Sequence, residues 1–354
     1  MAIRSSCVAG LCVLSLATFA CEEKKTQKSA EGTDAGPPRP AVHGDKTIVD
    51  ALKAEGSAEA RQGPPESGVY APGAADKELK IGDPPKFIMG LTGSEPKVQL
   101  TPAPAKPAKR LEGKVEVGIQ TGPRSAMPTI ELGLTTEPAD KTDSPAAGPL
   151  ELLVKASSAK LAADQPGQLP PGADKQIGKL KGSHFTMQIV GNSAHVTALE
   201  PAKDVDESLA LVLRAASDAW AFTMQPVPTN PVGKDGFWMV ESREQYLGLD
   251  AVVWRMYKVV EAKPQSVMLD VSVKRLVSAG QLGLPGIPPH HVDEFNDNVT
   301  GRIEVSPGDT SNIHADLTDT IMASLTPEGP AAAQAQGQHL AMQMQIKTRV
   351  ASGR

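Results

Sequence analysis

Cysteine is missing from almost the whole chain. All three cysteines, Cys7, Cys12 and Cys21, lie in the first 21 of 354 residues. No disulfide framework can staple the chain beyond Cys21, and no thiol nucleophile is available there. Aromatic side chains make up only 3% of the chain. Basic runs are missing too. The densest positive stretch, Lys106, Lys109 and Arg110, is spread among prolines and alanines in a chain of formal net charge −5, and reads as a solvated linker. Nucleic acid and anionic surfaces are therefore poor partners. Nor does any apolar run reach the ~18–20 residues that cross a bilayer as a helix.

Several catalytic and cofactor signatures are absent. There is no Gly-x-Ser-x-Gly elbow and no His-Glu-x-x-His pair. Gly172–Lys179 is superficially like a phosphate loop, but five residues separate its glycines and Leu180 stands where a magnesium-binding hydroxyl belongs. No cofactor is expected.

What is present begins with the leader. Arg4 supplies a positive charge, Val8–Ala20 an apolar core, and Glu22-Glu23-Lys24-Lys25 ends it sharply. A charged start, a short apolar core and a small residue before the cut define a secretory signal. Thr18-Phe19-Ala20-Cys21 resembles the bacterial lipobox, which implies acylation of Cys21 and removal of residues 1–20. Ordinary cleavage after Ala20 is the alternative, and would leave a free protein. Several acyl chains on one residue anchor firmly, where a single chain binds only marginally.

Residues 21–78 read as a disordered tether rich in Pro, Ala and Gly, with Gly36-Pro37-Pro38 and Gly63-Pro64-Pro65 as punctuation. From residue 79 the pattern changes to short apolar alternations. Strands are predicted at 86–90, 111–119, 129–135 and 150–157, with a hairpin of 185–190 and 194–199 about Gly191-Asn192. Asp204 to Phe222 is the one predicted helix. Asp204 and Glu207 have capping-box spacing, and Leu209, Val212, Leu213, Ala216 and Trp220 mark one apolar face. Prolines 226, 228 and 231 forbid its continuation. Strands resume at 237–242, 252–260, 267–276, 302–305, 313–317 and 340–350. In 267–274 and 340–347 the period of two is clean, which gives each strand one dry face.

The stretches on either side of the helix are similar to each other. Phe87-Ile88-Met89 matches Phe237-Trp238-Met239, Leu169-Pro170-Pro171 matches Ile287-Pro288-Pro289, and His195 matches His314. Order and rough spacing agree, which points to internal duplication. The expected fold is mainly β (α+β). Two similar antiparallel halves, 79–203 and 232–350, form a curved sheet or half-barrel, joined by one central helix in the segment 204–231.

Candidates for chemistry are few. His290, His291 and Asp293 are metal-ligand types, but the prolines before them predict a loop and no second cluster completes a ligand set. A solvated loop is the expected reading, so no metal site is expected. A metal-dependent hydrolase centred on these residues is the alternative. Trp220, Trp238 and Trp254, with Tyr246 and Tyr257 nearby, mark the densest part of the expected core.

Pro228-Thr229-Asn230-Pro231-Val232-Gly233, with Trp238 five residues on, resembles a motif found after a helix in an uncharacterised family of bacterial lipoproteins with β-rich domains. That resemblance implies a lipid-anchored protein of the cell envelope and carries no activity. A sheet curved around a helix is also similar to the half-barrel lipoprotein carriers in architecture alone. Together these readings lead to a non-enzymatic lipoprotein that binds an envelope partner or an apolar ligand. Glu22, where Asp often signals inner-membrane retention, places it at the outer membrane by the same resemblance.

Overall fold

A computed structural model describes residues 66–352, apart from 77–78, 102–109, 123–124, 139–149, 163–171, 191–192, 207–208, 225, 283–289 and 329–338. Residues 1–65, which hold the expected signal, Cys21 with its expected lipidation and most of the expected tether, lie outside the described residues.

Strands dominate because β-branched and apolar residues alternate with polar ones over most of the chain. In order they are β1 (Gly68–Tyr70), β2 (Lys86–Leu91), β3 (Leu111–Thr121), β4 (Ser125–Pro138), β5 (Leu150–Leu161), β6 (His184–Val190), β7 (Ser193–Glu200), β8 (Phe237–Tyr246), β9 (Leu249–Ala262), β10 (Val267–Ser278), β11 (Gln281–Leu282), β12 (His290–Ser306), β13 (Asp309–Pro327) and β14 (Leu340–Ser352). Two helices interrupt them, α1 (Ala173–Gly178) and α2 (Ala210–Ala221).

The fold is mainly β, as the sequence predicts, and the strands form one large open sheet. Its order is β2-β8-β9-β10-β12-β13-β14-β3-β4-β5-β6-β7, antiparallel at every step, with β1 parallel to the end of β10 and β11 on β12. The first stretch contributes β3–β7 and the second β8–β14, and β14 joins the two blocks through its ladder with β3. Two early strands lie with the second block instead, β1 on β10 and β2 on β8. Met89 on β2 faces Trp238, and the segments matched as repeats lie next to each other.

Flat, twelve strands would span about 50 Å. Yet the single 12-residue helix α2, about 18 Å long, packs against β3 and β14 near the middle and β7 at one margin. It also reaches the turn between β8 and β9 near the other margin, through Asp218 and the Leu247 amide. The sheet must curl around the helix to bring these together. Connectivity explains why the helix is there, since the chain leaves β7 at one margin and must cross the concave side to begin β8 at the other.

The main core lies between this concave face and α2, where Val212, Leu213, Ala216 and Trp220 belong to one apolar cluster with the inward residues of the strands. A smaller core on the convex side packs Tyr70, Ala75 and Leu79 against Met239, Val252, Trp254 and Leu276. Folded chain therefore starts at least as early as β1, upstream of the boundary at 79 read from the sequence.

The helix begins later than predicted. Asp204 has a φ of 66° and lies outside it, and Leu209 occupies the cap without a side-chain hydrogen bond. No capping box forms from Asp204. Burial of the apolar stripe, rather than a cap, sets where this helix starts.

Candidate functional site

The candidate site lies where the two margins of the curled sheet approach each other. Ala194, His195 and Val196 of β7, Asp218, Ala221 and Phe222 at the end of α2, Glu244 to Tyr246 of β8, and Arg255 of β9 enclose a cavity of about 130 Å³. Cavities of about 150 Å³ hold a benzene-sized molecule. Strand alternation explains these walls. Trp238, Val240, Ser242, Glu244 and Tyr246 share one face of β8, and the last three carry polar groups onto a face that begins apolar.

Most of the polar groups here satisfy one another. Arg255 donates from Nη2 to Glu244 Oε2 at 2.6 Å and from Nη1 to Ser242 Oγ at 2.8 Å, and Ser242 donates to Glu244 Oε1 at 2.5 Å. Burial acts to raise the Glu244 carboxyl, but the Arg255 charge and these hydrogen bonds outweigh it and lower the group to about 2. Arg255 also lies over the Phe222 ring, 4.8 Å from its centroid.

Two groups are left over. Asp218 accepts from the Leu247 amide at 3.1 Å through Oδ2. Its other oxygen has no hydrogen-bond donor among the described residues. Burial pushes its carboxyl up to about 7, against the opposing effects of that amide, Arg275 and Arg214, and with some help from Glu244. The His195 ring likewise has no hydrogen-bond partner among the described residues. Burial lowers its basicity, with Glu244 and Arg255 acting in opposite directions.

A second buried network lies deeper. Arg275, fully buried, forms an ion pair with Asp297 and lies 3.4 Å from Asp319, which accepts from the Tyr246 hydroxyl at 2.7 Å. Its guanidinium lies over the rings of Tyr246 and Phe222, at 3.8 and 4.4 Å. Desolvation raises the Asp297 carboxyl well above its ordinary value, with the Asp319 charge adding to it and Arg275 opposing it. Tyr246 and Phe222 thus join the cavity wall to this network.

The sequence candidates fall elsewhere. His290 and His291 begin β12 and are strand, which corrects the predicted loop. They pair there with β11 and β13, and these ladders hold the segment extended. His290 is buried, while His291 approaches Glu328 at 3.4 Å and Asp293 takes hydrogen bonds from Thr326 and His339. Among the described residues no group of three His, Cys, Asp or Glu is placed to hold a metal ion. His195 and His314, matched in the sequence, differ in setting, since His195 lines the cavity and His314 is exposed.

Asp218, Glu244 and Arg255 were not singled out by sequence reasoning. The available signal was a charged residue at an apolar position of an alternating strand, as with Arg255 between Val253 and Tyr257. No protein-family model matches the chain, and no curated protein sequence matches it.

Proposed function

We propose that the protein is a membrane-anchored, extracytoplasmic lipoprotein that acts by binding, with an envelope partner or a ligand that offers an apolar surface. The anchor reading is supported by Cys21, which ends a leader-like segment and is the last cysteine of the chain. The binding reading is carried by one observation, the cavity between the sheet margins, lined by apolar and polar side chains together, with Asp218 and His195 in no ion pair there. Binding is favoured over catalysis by the state of the other charges. Glu244 is held as a carboxylate by Arg255, and the Ser242 hydroxyl is committed to Glu244. Neither is set up as a proton donor or an attacking group.

Mass spectrometry of the native protein tests the anchor. It should find residues 1–20 removed and Cys21 acylated, and Cys21→Ser should move the protein from the membrane to the soluble fraction. An unmodified Cys21, or a retained leader, removes the envelope assignment. Calorimetric titration of the delipidated chain with benzyl alcohol, a neutral molecule of about the cavity's size, tests binding, which should saturate at a defined stoichiometry.

A further inference from the structure

The cavity at the sheet margins sets an acid that forms no ion pair beside open space. Its lining holds two carboxylates, Asp218 and Glu244, against the single guanidinium of Arg255. Glu244 and Arg255 neutralise each other through a direct ion pair. His195, disfavoured in its charged form by burial, adds no cation. That leaves Asp218 as the one uncompensated acid of the lining, with one carboxylate oxygen not engaged by any described residue. Phe222, Tyr246, Ala194, Val196 and Ala221, with Gln245, form the rest of the wall. An organic cation is the ligand type matched by a carboxylate set among apolar surfaces. The volume of this partly open cavity suits a head group of about six non-hydrogen atoms.

We infer that the cavity takes a primary amine borne on a small apolar or aromatic body, with Asp218 pairing the ammonium and His195 accepting a second hydrogen bond from it. This rests on the binding reading above and adds the class of ligand. Charged groups on every neighbouring element bear on the carboxylate. Arg214 lies on its own helix, Glu244 on β8, Arg275 on β10, and His195 and Arg255 line the same cavity. Of these, Glu244, Arg255 and Arg275 are already tied in ion pairs. Arg214 is exposed, with its guanidinium close to Gly248 in the turn between β8 and β9.

Calorimetric titration of the full chain with benzylamine, benzyl alcohol and benzoate tests this, because the three share a ring and differ in charge. At about pH 8 benzylamine should bind at least tenfold more tightly than benzyl alcohol, and benzoate most weakly. Between about pH 8 and pH 6 the benzylamine affinity should fall roughly tenfold, as an acid titrating midway between them becomes protonated. The pH series uses unaltered protein, so it stands even if a variant misfolds. Asp218→Asn should reduce benzylamine to the level of benzyl alcohol. Equal binding of all three compounds, or an amine preference that is flat with pH or survives Asp218→Asn, overturns the amine assignment and leaves the binding reading in place. No binding by any of them overturns both the amine assignment and the small-ligand form of that reading.

Discussion

At the scale of single residues, the concave face keeps charges where an apolar core would be simpler. Asp218, on the helix packed against that face, adds another. Its carboxyl, raised by burial to about 7 from an ordinary 3.8, holds a proton in the folded state that the unfolded chain has already released. Folded protein binds more protons than unfolded across that interval. This contribution therefore falls as pH rises from about 4 to about 7, and is level above that. Asp218→Asn keeps an acceptor for the Leu247 amide and never ionises. It should stabilise the protein above about pH 7 by up to ~4 kcal/mol, less whatever solvent in the open cavity already screens. It should also flatten the slope below that pH. Urea denaturation at a series of pH values would show this, and an unchanged slope would show that Asp218 titrates as if exposed. Glu244 has the opposite sign. Its carboxylate is stabilised in the fold, so its contribution is present above about pH 4.5 and is lost as pH falls through about 2. A stabilising replacement at Asp218 would fit a residue retained for binding rather than for folding.

At the scale of elements, the Pro-Val-Gly motif has a physical meaning that its spacing alone did not give. Val232 and Val98 exchange backbone hydrogen bonds at 2.9 and 2.8 Å, and the Gly233 amide donates to the Thr92 carbonyl at 2.8 Å. A Cβ at Gly233 would run into the Ser94 carbonyl oxygen, so the two backbones approach too closely for any side chain. Trp238, five residues on, donates from its indole to the Pro226 carbonyl at 3.0 Å and stacks on Tyr257. The motif is a clamp that fixes how the chain leaves α2 and enters β8. Gly233→Ala should cost about 2–3 kcal/mol through this overlap, read as a lower urea midpoint. A loss below ~0.5 kcal/mol would mean the loop from Thr92 to Val98 yields freely. Elements with clean alternation, β10 and β14, were legible in the sequence nearly to their ends. β12 and β13 were visible only as the short segments 302–305 and 313–317. Asp297 and Asp319 sit at inward positions there and break the apolar period, and it is their partner Arg275, on another strand, that makes those positions tolerable. An unpaired charge in a strand pattern signals an end, and only the fold shows that it is paired. The cavity was illegible for the same reason, since β7, α2, β8 and β9 each contribute one to three residues with no shared local pattern.

At the scale of the whole molecule, local patterns fix strands but not their neighbours. Neither the crossing of β2 to β8 nor the pairing of β1 with β10 could be read from periodicity, because both depend on segments well over a hundred residues apart. The same topology places an unusual demand on β14, whose inward residues Met342, Met344 and Ile346 connect the block β8–β13 to the block β3–β7. Met344 is fully buried between Ile321 and Ile119. Met344→Lys would place an unpaired charge at that junction and should cost more than about 4 kcal/mol. Met322→Lys, on the neighbouring strand at a side chain 51% exposed, should stay within about 0.5 kcal/mol. Because α2 and the ladder between β14 and β3 bind the two blocks together, the loss at Met344 should lower the stability of both at once. All three tryptophans lie on α2, β8 and β9, so their fluorescence reports mainly on one block, while far-ultraviolet circular dichroism reports on both. In the unaltered protein and in Met344→Lys the two signals should change at a single urea concentration. Two separate transitions would mean that each block folds on its own and that the two blocks are independent domains sharing a ladder.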